Sequence, residues 1–192
     1  MKGRSFLAIV GVIAGGALTA HPAWGQTIVS RGVGLAHDCF IYAKAGNQPR
    51  DGITVCNEAL KREMLSVKDR AATHDNRGVM LNALGQMDNA SWDFNESIRL
   101  DPSLGDPHVN LGVVLIRKGR HQEALDSINR GLALGMSFPH IGYFDRGVAY
   151  EMMGQFREAY YDYKKVLELD PNYAPAIERL KYFTVTRAPA KS

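Results

Sequence analysis

The sequence predicts an all-α fold of stacked helical hairpins, and three observations carry that prediction. The first is recurrence: "NRGVMLNALGQ" at 76–86 returns as "NLGVVLIRKGR" at 110–120 and "DRGVAYEMMGQ" at 145–155. The second is that fixed positions hold fixed residue types. Counted from a first glycine (Gly78, Gly112, Gly147), a second glycine follows at seven residues (Gly85, Gly119, Gly154) and an alanine at twelve (Ala90, Ala124, Ala159). Four residues beyond each alanine stands a large apolar residue, Phe94, Ile128 or Tyr163. The third is that two copies close on the same Leu-Asp-Pro, at 100–102 and 169–171. Two helical patterns within one such period make a unit that cannot hide its apolar face alone, so the units must stack.

The chain opens on a leader. Lys2 and Arg4 precede an uncharged, largely apolar run, Phe6 to Ala20, and then "HPAWGQ" with small residues at Ala23 and Gly25. This is the pattern of a secretory signal peptide over 1–25, cut between Gly25 and Gln26. The run falls short of the ~20 apolar residues of a membrane span and is interrupted by Gly11, Gly15 and Gly16. No second long apolar run follows, so no stable membrane insertion is expected after cleavage. The expected address is secreted or periplasmic.

Cleavage changes the charge balance. The full chain has 23 Lys and Arg against 20 Asp and Glu, or +3; without Lys2 and Arg4 the balance is 21 against 20, or +1. A near-neutral mature chain gives no footing for nucleic acid or an anionic membrane as partner.

Residues 26–70 form the next segment. "GLAHDCFIYAKAG" and "ITVCNEALKREMLS" both have helical character, with helices expected near 31–46 and 50–65. The two cysteines, Cys39 and Cys56, lie one in each. In an exported chain an even pair points to one disulfide. A metal site would recruit His37 and His74 beside the thiols, at a spacing that fits no usual zinc pattern.

The repeats occupy 71–104, 105–139 and 140–173, with helices expected near 71–84, 87–100, 105–118, 121–134, 140–153 and 156–169. Each second glycine tolerates positive φ and so caps one helix and turns the chain. Pro102 and Pro171 end the second helix, because proline lacks a donor and restricts the residue before it. The first glycine and the alanine let two helices approach, and the bulky residues fill the space between neighbouring pairs.

These positions resemble the tetratricopeptide repeat family. Leu111-Gly112, Ala90, Ala124, Ala159, Phe94, Tyr143, Tyr150, Pro102 and Pro171 match its pattern residue by residue. Arg77 and Arg146 depart from it, standing for the family's leucine, and Leu81 and Leu115 stand for the aromatic after the glycine. One extra residue and Pro139 reset the phase before the last copy. The resemblance implies a right-handed superhelical solenoid, with 26–70 as a degenerate first hairpin that the disulfide would staple. The segment 174–192 would hold a capping helix, "YAPAIERLKYFTV" near 173–184, and a frayed tail. Strand content should be close to zero.

Chemistry is not legible in this chain. There is no Gly-rich phosphate loop and no Gly-x-Ser-x-Gly elbow. His108, His121 and His140 fall around one repeat without an acid partner at ligand spacing, and His121 takes a packing position held by Met87 and Phe156 elsewhere. Asp101 and Asp170 each precede a repeat-closing proline, which turn chemistry explains. Trp92 should face away from Phe94 and be partly exposed. No enzyme activity, cofactor or metal is therefore expected.

What the resemblance implies instead is a concave wall of first helices that holds a protein or peptide partner. The helical phase puts Asn76, Val79, Asn82, Asn110, Val113 and Arg117 on it, continued by Phe144, Asp145, Val148 and Glu151. Asn amides suit an extended backbone because each donates and accepts; the same amides also suit ties between neighbouring helices. One subclass of the family grips a C-terminal carboxylate with cations here. Asn110 fits that pattern, but Asp75, Val79 and Asp106 stand where basic or amide groups are needed. A self-associating protein, joined through Tyr160, Tyr161, Tyr173, Tyr182 and Phe183, is the second function class, making a homo-oligomer; a thiol- or metal-dependent enzyme is the third and last.

Overall fold

A computed structural model describes residues 7–11 and 34–187. Among them are nine helices: α1 Leu35–Ala45, α2 Pro49–Arg62, α3 Val67–Ala83, α4 Met87–Leu100, α5 Asp106–Arg117, α6 His121–Leu134, α7 Pro139–Met152, α8 Phe156–Leu169 and α9 Ala174–Leu180. The fold is the all-α repeat solenoid that the periodicity implies. Its helices pack as consecutive hairpins, α1 with α2, α3 with α4, α5 with α6 and α7 with α8. Two compact units divide the chain: one holds α1–α6, the other α7–α9 with two short strands.

The local causes match the expected ones at the helix ends. Gly85, Gly119 and Gly154 have φ of 75°, 74° and 72°, the left-handed region that glycine enters at low cost. Asp101 Oδ1 accepts from the Ser103 amide at 3.1 Å, and Asp170 Oδ1 from the Asn172 amide at 3.1 Å, so both aspartates make the turn before the next hairpin. Helix α3 starts at Val67, four residues before the expected Ala71. Ser66 explains this: its hydroxyl accepts from the Asp69 amide at 3.1 Å and caps the helix.

Each hairpin closes by setting a large side chain of its second helix onto the first glycine of its first. A methyl group on Gly78 would stand 2.6 Å from the Phe94 ring, and one on Gly147 2.6 Å from the Tyr163 ring. Ile128 crowds Gly112 in the same way. Ala90, Ala124, Ala159, Phe94, Ile128 and Tyr163 are all fully buried. The recurrent positions are therefore one recurrent contact.

Cys39 and Cys56 form the expected disulfide between α1 and α2 (Sγ–Sγ 2.10 Å). It sits in a core with Ala43 and Met80, so the staple also backs onto α3.

Two features of the C-terminal unit differ from expectation. The capping helix α9 ends at Leu180, and the chain continues as a strand, β2 Phe183–Arg187. Its sequence, Phe-Thr-Val-Thr-Arg, is rich in β-branched and aromatic residues, which suit a pleated strand better than a helix. β2 pairs antiparallel with β1, Leu7–Gly11, from the expected leader. This ribbon is a local exception to an otherwise helical chain. The expected cleavage point and the last five residues of the tail lie outside the described residues.

Candidate functional site

Within the first unit, α3 and α5 lie side by side and carry six of the ten residues expected on the concave wall. Two links join them, each spanning 35 residues, about one repeat. Asn110 donates from Nδ2 to Asp75 Oδ1 at 2.9 Å. Arg117 Nη1 donates to the Asn82 carbonyl at 2.8 Å and also to its side-chain oxygen. Asn110, Asn82 and Arg117 thus act as ties between neighbouring repeats. Asn76 and Val79 are buried, and Val113 is half-buried between Asn110 and Arg117 on one helical face.

Two buried carboxyl groups lie on these helices. Asp75 is fully buried, and its Oδ2 has no hydrogen-bond partner. Burial pushes its carboxyl well above the usual range, outweighing the Asn110 bond; Asp106 and Asp93 add repulsion. Asp106, on the first turn of α5, is also raised by burial, although it accepts from the Ser137 amide at 3.1 Å and from its hydroxyl at 3.3 Å. Asp75 was legible in the sequence only as a residue of the wrong sign for a carboxylate clamp.

In the second unit, α7 carries the remaining four. Phe144 is buried, with its ring 5.5 Å from Tyr163 and 5.4 Å from Tyr173. Val148 packs on the same cluster. Glu151 accepts from the Tyr163 hydroxyl at 2.7 Å and from Arg179 Nη1 at 3.0 Å, which fastens α9 to α7. Burial raises the Tyr163 hydroxyl strongly, with the Glu151 charge next in weight, so Tyr163 stays a donor to Glu151. Asp145 keeps part of its surface, but its carboxyl is set among protein atoms, and burial raises it to about 7.

The histidines do not assemble a centre. His108 is half-buried, with burial lowering its imidazole, while His140 lies edge-on to Tyr173 at 5.3 Å in the other unit. His74 Nδ1 is 2.8 Å from Asp93 Oδ1, inside a structural ion cluster. Among the described residues no three His, Cys, Asp or Glu side chains are placed to hold a metal ion. Trp92 is 58% exposed on α4 and meets the edge of His74 at 5.6 Å. No helix among the described residues is long and apolar enough to cross a membrane.

Against known proteins, residues 140–173 match the tetratricopeptide repeat model. Over 108 residues, 55% of its length, the chain is 27% identical to the lipoprotein NlpI homolog of Haemophilus influenzae, covering 33% of that protein. It is 38% identical over 74 residues to a UDP-N-acetylglucosamine–peptide N-acetylglucosaminyltransferase of Giardia intestinalis, covering 5% of it. The chain thus spans a third or less of the curated relatives it matches. Among solved structures, MamA is similar at a TM-score of 0.59 and 19% identity, over 76% of this chain and 80% of that one. The first repeat domain of Spaghetti (RPAP3), bound to the HSP90 peptide SRMEEVD, is similar at a TM-score of 0.56 and 25% identity, over 59% and 90%.

Proposed function

We propose that this chain is a tetratricopeptide repeat protein that works as a non-catalytic scaffold, holding a peptide segment of a protein partner on its first-helix walls. The observation that carries this reading is the pairing of α3 with α5, first helices of consecutive hairpins tied by the Asn110–Asp75 and Arg117–Asn82 bonds, with Val113 left half-buried on α5. A solved structure of similar fold holds a peptide, which supports the same use. The ligand differs in sign, however. SRMEEVD carries two glutamates and an aspartate, whereas Asp75 and Asp106 stand where a clamp for such a tail needs basic or amide groups. A partner segment without an acidic tail is therefore favoured.

The address we infer is the bacterial cell envelope, outside the cytoplasm. The leader pattern and the Cys39–Cys56 disulfide support it, since disulfides persist in oxidising compartments. The name lipoprotein on one similar protein points the same way. The long transferase match covers too little of that enzyme to lend its activity.

Affinity capture from an extract of the same compartment tests the reading, with the parent run beside Val113→Arg. One protein captured by the parent, and lost in Val113→Arg with an unchanged melting curve, supports groove binding. Equal capture by parent and variant sinks it.

A further inference from the structure

We propose that β2 is an acceptor edge in the mature protein, which binds there an extended aliphatic strand of a partner, antiparallel, in the place β1 holds in the full chain. The proposal rests on the export reading, because removal of residues 1–25 takes β1 away.

In the full chain the ladder runs from Leu7 opposite Arg187 to Gly11 opposite Phe183, five residue pairs without a bulge. The start of β2 has contacts besides those with β1. The Phe183 ring stands 5.9 Å from Tyr160 and 5.9 Å from Tyr163, and Tyr163 is fully buried. The Tyr182 amide donates to the Arg179 carbonyl at 3.1 Å, so the end of α9 delivers the strand directly. Arg179 is itself held by Glu151. With β1 gone, Phe183 keeps these contacts and β2 is left with unpaired amides and carbonyls, the template that a sheet edge offers to another strand.

The vacated place also has a floor. β1 lies against α8 as well as against β2. On α8, Tyr160 and Tyr161 meet edge to face at 5.7 Å, and Tyr161 is 48% exposed even in the full chain. A strand seated here gains ladder hydrogen bonds from β2 and lies along α8. The segment that fills it, Leu-Ala-Ile-Val-Gly, states the chemistry accepted: uncharged, aliphatic, β-branched at its centre, small at one end. A second copy of β2 is a poorer occupant. Antiparallel pairing of Phe-Thr-Val-Thr-Arg with itself brings a charged residue, Arg187, into a stretch that β1 fills with uncharged ones.

The test uses the exported protein as the cell makes it. Its intact mass is measured first; retention of residues 1–25 means that the edge is never vacated, and both the export reading and this proposal fall together. With the leader gone, amide exchange at 183–187 is followed with and without the peptide SFLAIVGVI, residues 5–13, bearing a two-lysine tail. We expect at least tenfold slower exchange on saturation by the peptide, and no slowing by the same peptide carrying Ile9→Pro, which removes a donor without touching the protein. Unchanged exchange with either peptide, or equal slowing by both, overturns the proposal while leaving the export reading intact. So does slow exchange without peptide that grows with protein concentration and a doubled mass, because then a second copy takes the edge.

Discussion

Arg77 grips Asp93 at two points across the α3–α4 hairpin, Nε on Oδ2 at 2.8 Å and Nη2 on Oδ1 at 2.7 Å. The same grip recurs between α7 and α8, where Arg146 holds Asp162 at 2.8 and 2.7 Å. Both pairs are 16 residues apart, and both arginines stand where the family pattern has leucine. In the middle hairpin the equivalent positions are Leu111 and Ser127, and Ser127 instead donates to the His108 carbonyl at 2.7 Å. Arginine and aspartate come together or not at all, so the departure from the pattern is a matched pair. Asp93 is 1% exposed at its side chain, which makes it costly to leave without its partner.

Arg77→Leu alone is therefore expected to lower stability by about 3 kcal/mol or more, the cost of a buried charge left without its cation. Arg77→Leu with Asp93→Ser, which copies the middle hairpin, should recover most of it. Urea unfolding of the two variants decides: equal losses would mean that the pair is not coupled.

Gly78→Ala and Gly147→Ala should each cost on the order of 1–3 kcal/mol, because the new methyl meets an aromatic ring at 2.6 Å within a packed core. Adding Phe94→Leu to Gly78→Ala should restore part of the loss. Gly85→Ala meets nothing nearby but is strained by its φ of 75°, costing about 1 kcal/mol with no rescue from Phe94→Leu.

Reduction of the Cys39–Cys56 disulfide should destabilise the first unit by about 3 kcal/mol on the chain-entropy account, given its sequence separation of 17. Thermal melts with and without reductant read this directly. A Cys39→Ser, Cys56→Ser chain should match the reduced protein and be indifferent to reductant.

Asp145 predicts a pH dependence of definite sign. Its carboxyl is raised from 3.8 to about 7 in the folded chain, so the folded state holds a proton that the unfolded state has released. Stability of the C-terminal unit should be greatest near pH 4, fall as pH rises toward 7, and level off above it. A shift of this size corresponds to a few kcal/mol, on the order of 2–4. Asp145→Asn should flatten the slope and leave the protein more stable than the parent at pH 8, as measured by urea midpoints across the range. A parent whose stability climbs between pH 4 and 7 would contradict the assignment.

Repetition is what made this fold legible. A glycine, an alanine and a large apolar residue at constant spacing describe one contact made three times, and local rules of turn, cap and proline place the hairpins around it. Even the paired arginines could be read from sequence, since an aspartate follows each at 16 residues and neither appears in the middle copy. The cysteines were legible for the same reason: each sits on one arm of a single hairpin. What only the tertiary structure decided are the relations between hairpins and at the chain's end. Asn110 meeting Asp75, Arg117 reaching Asn82 and Arg179 closing on Glu151 depend on how one helix lies against another, and no period encodes which polar atom is left unmet. β2 pairing with β1 brings together residues more than 170 positions apart. A strand's partner is fixed by packing in space, whereas a helix's hydrogen bonds are fixed within four residues of sequence.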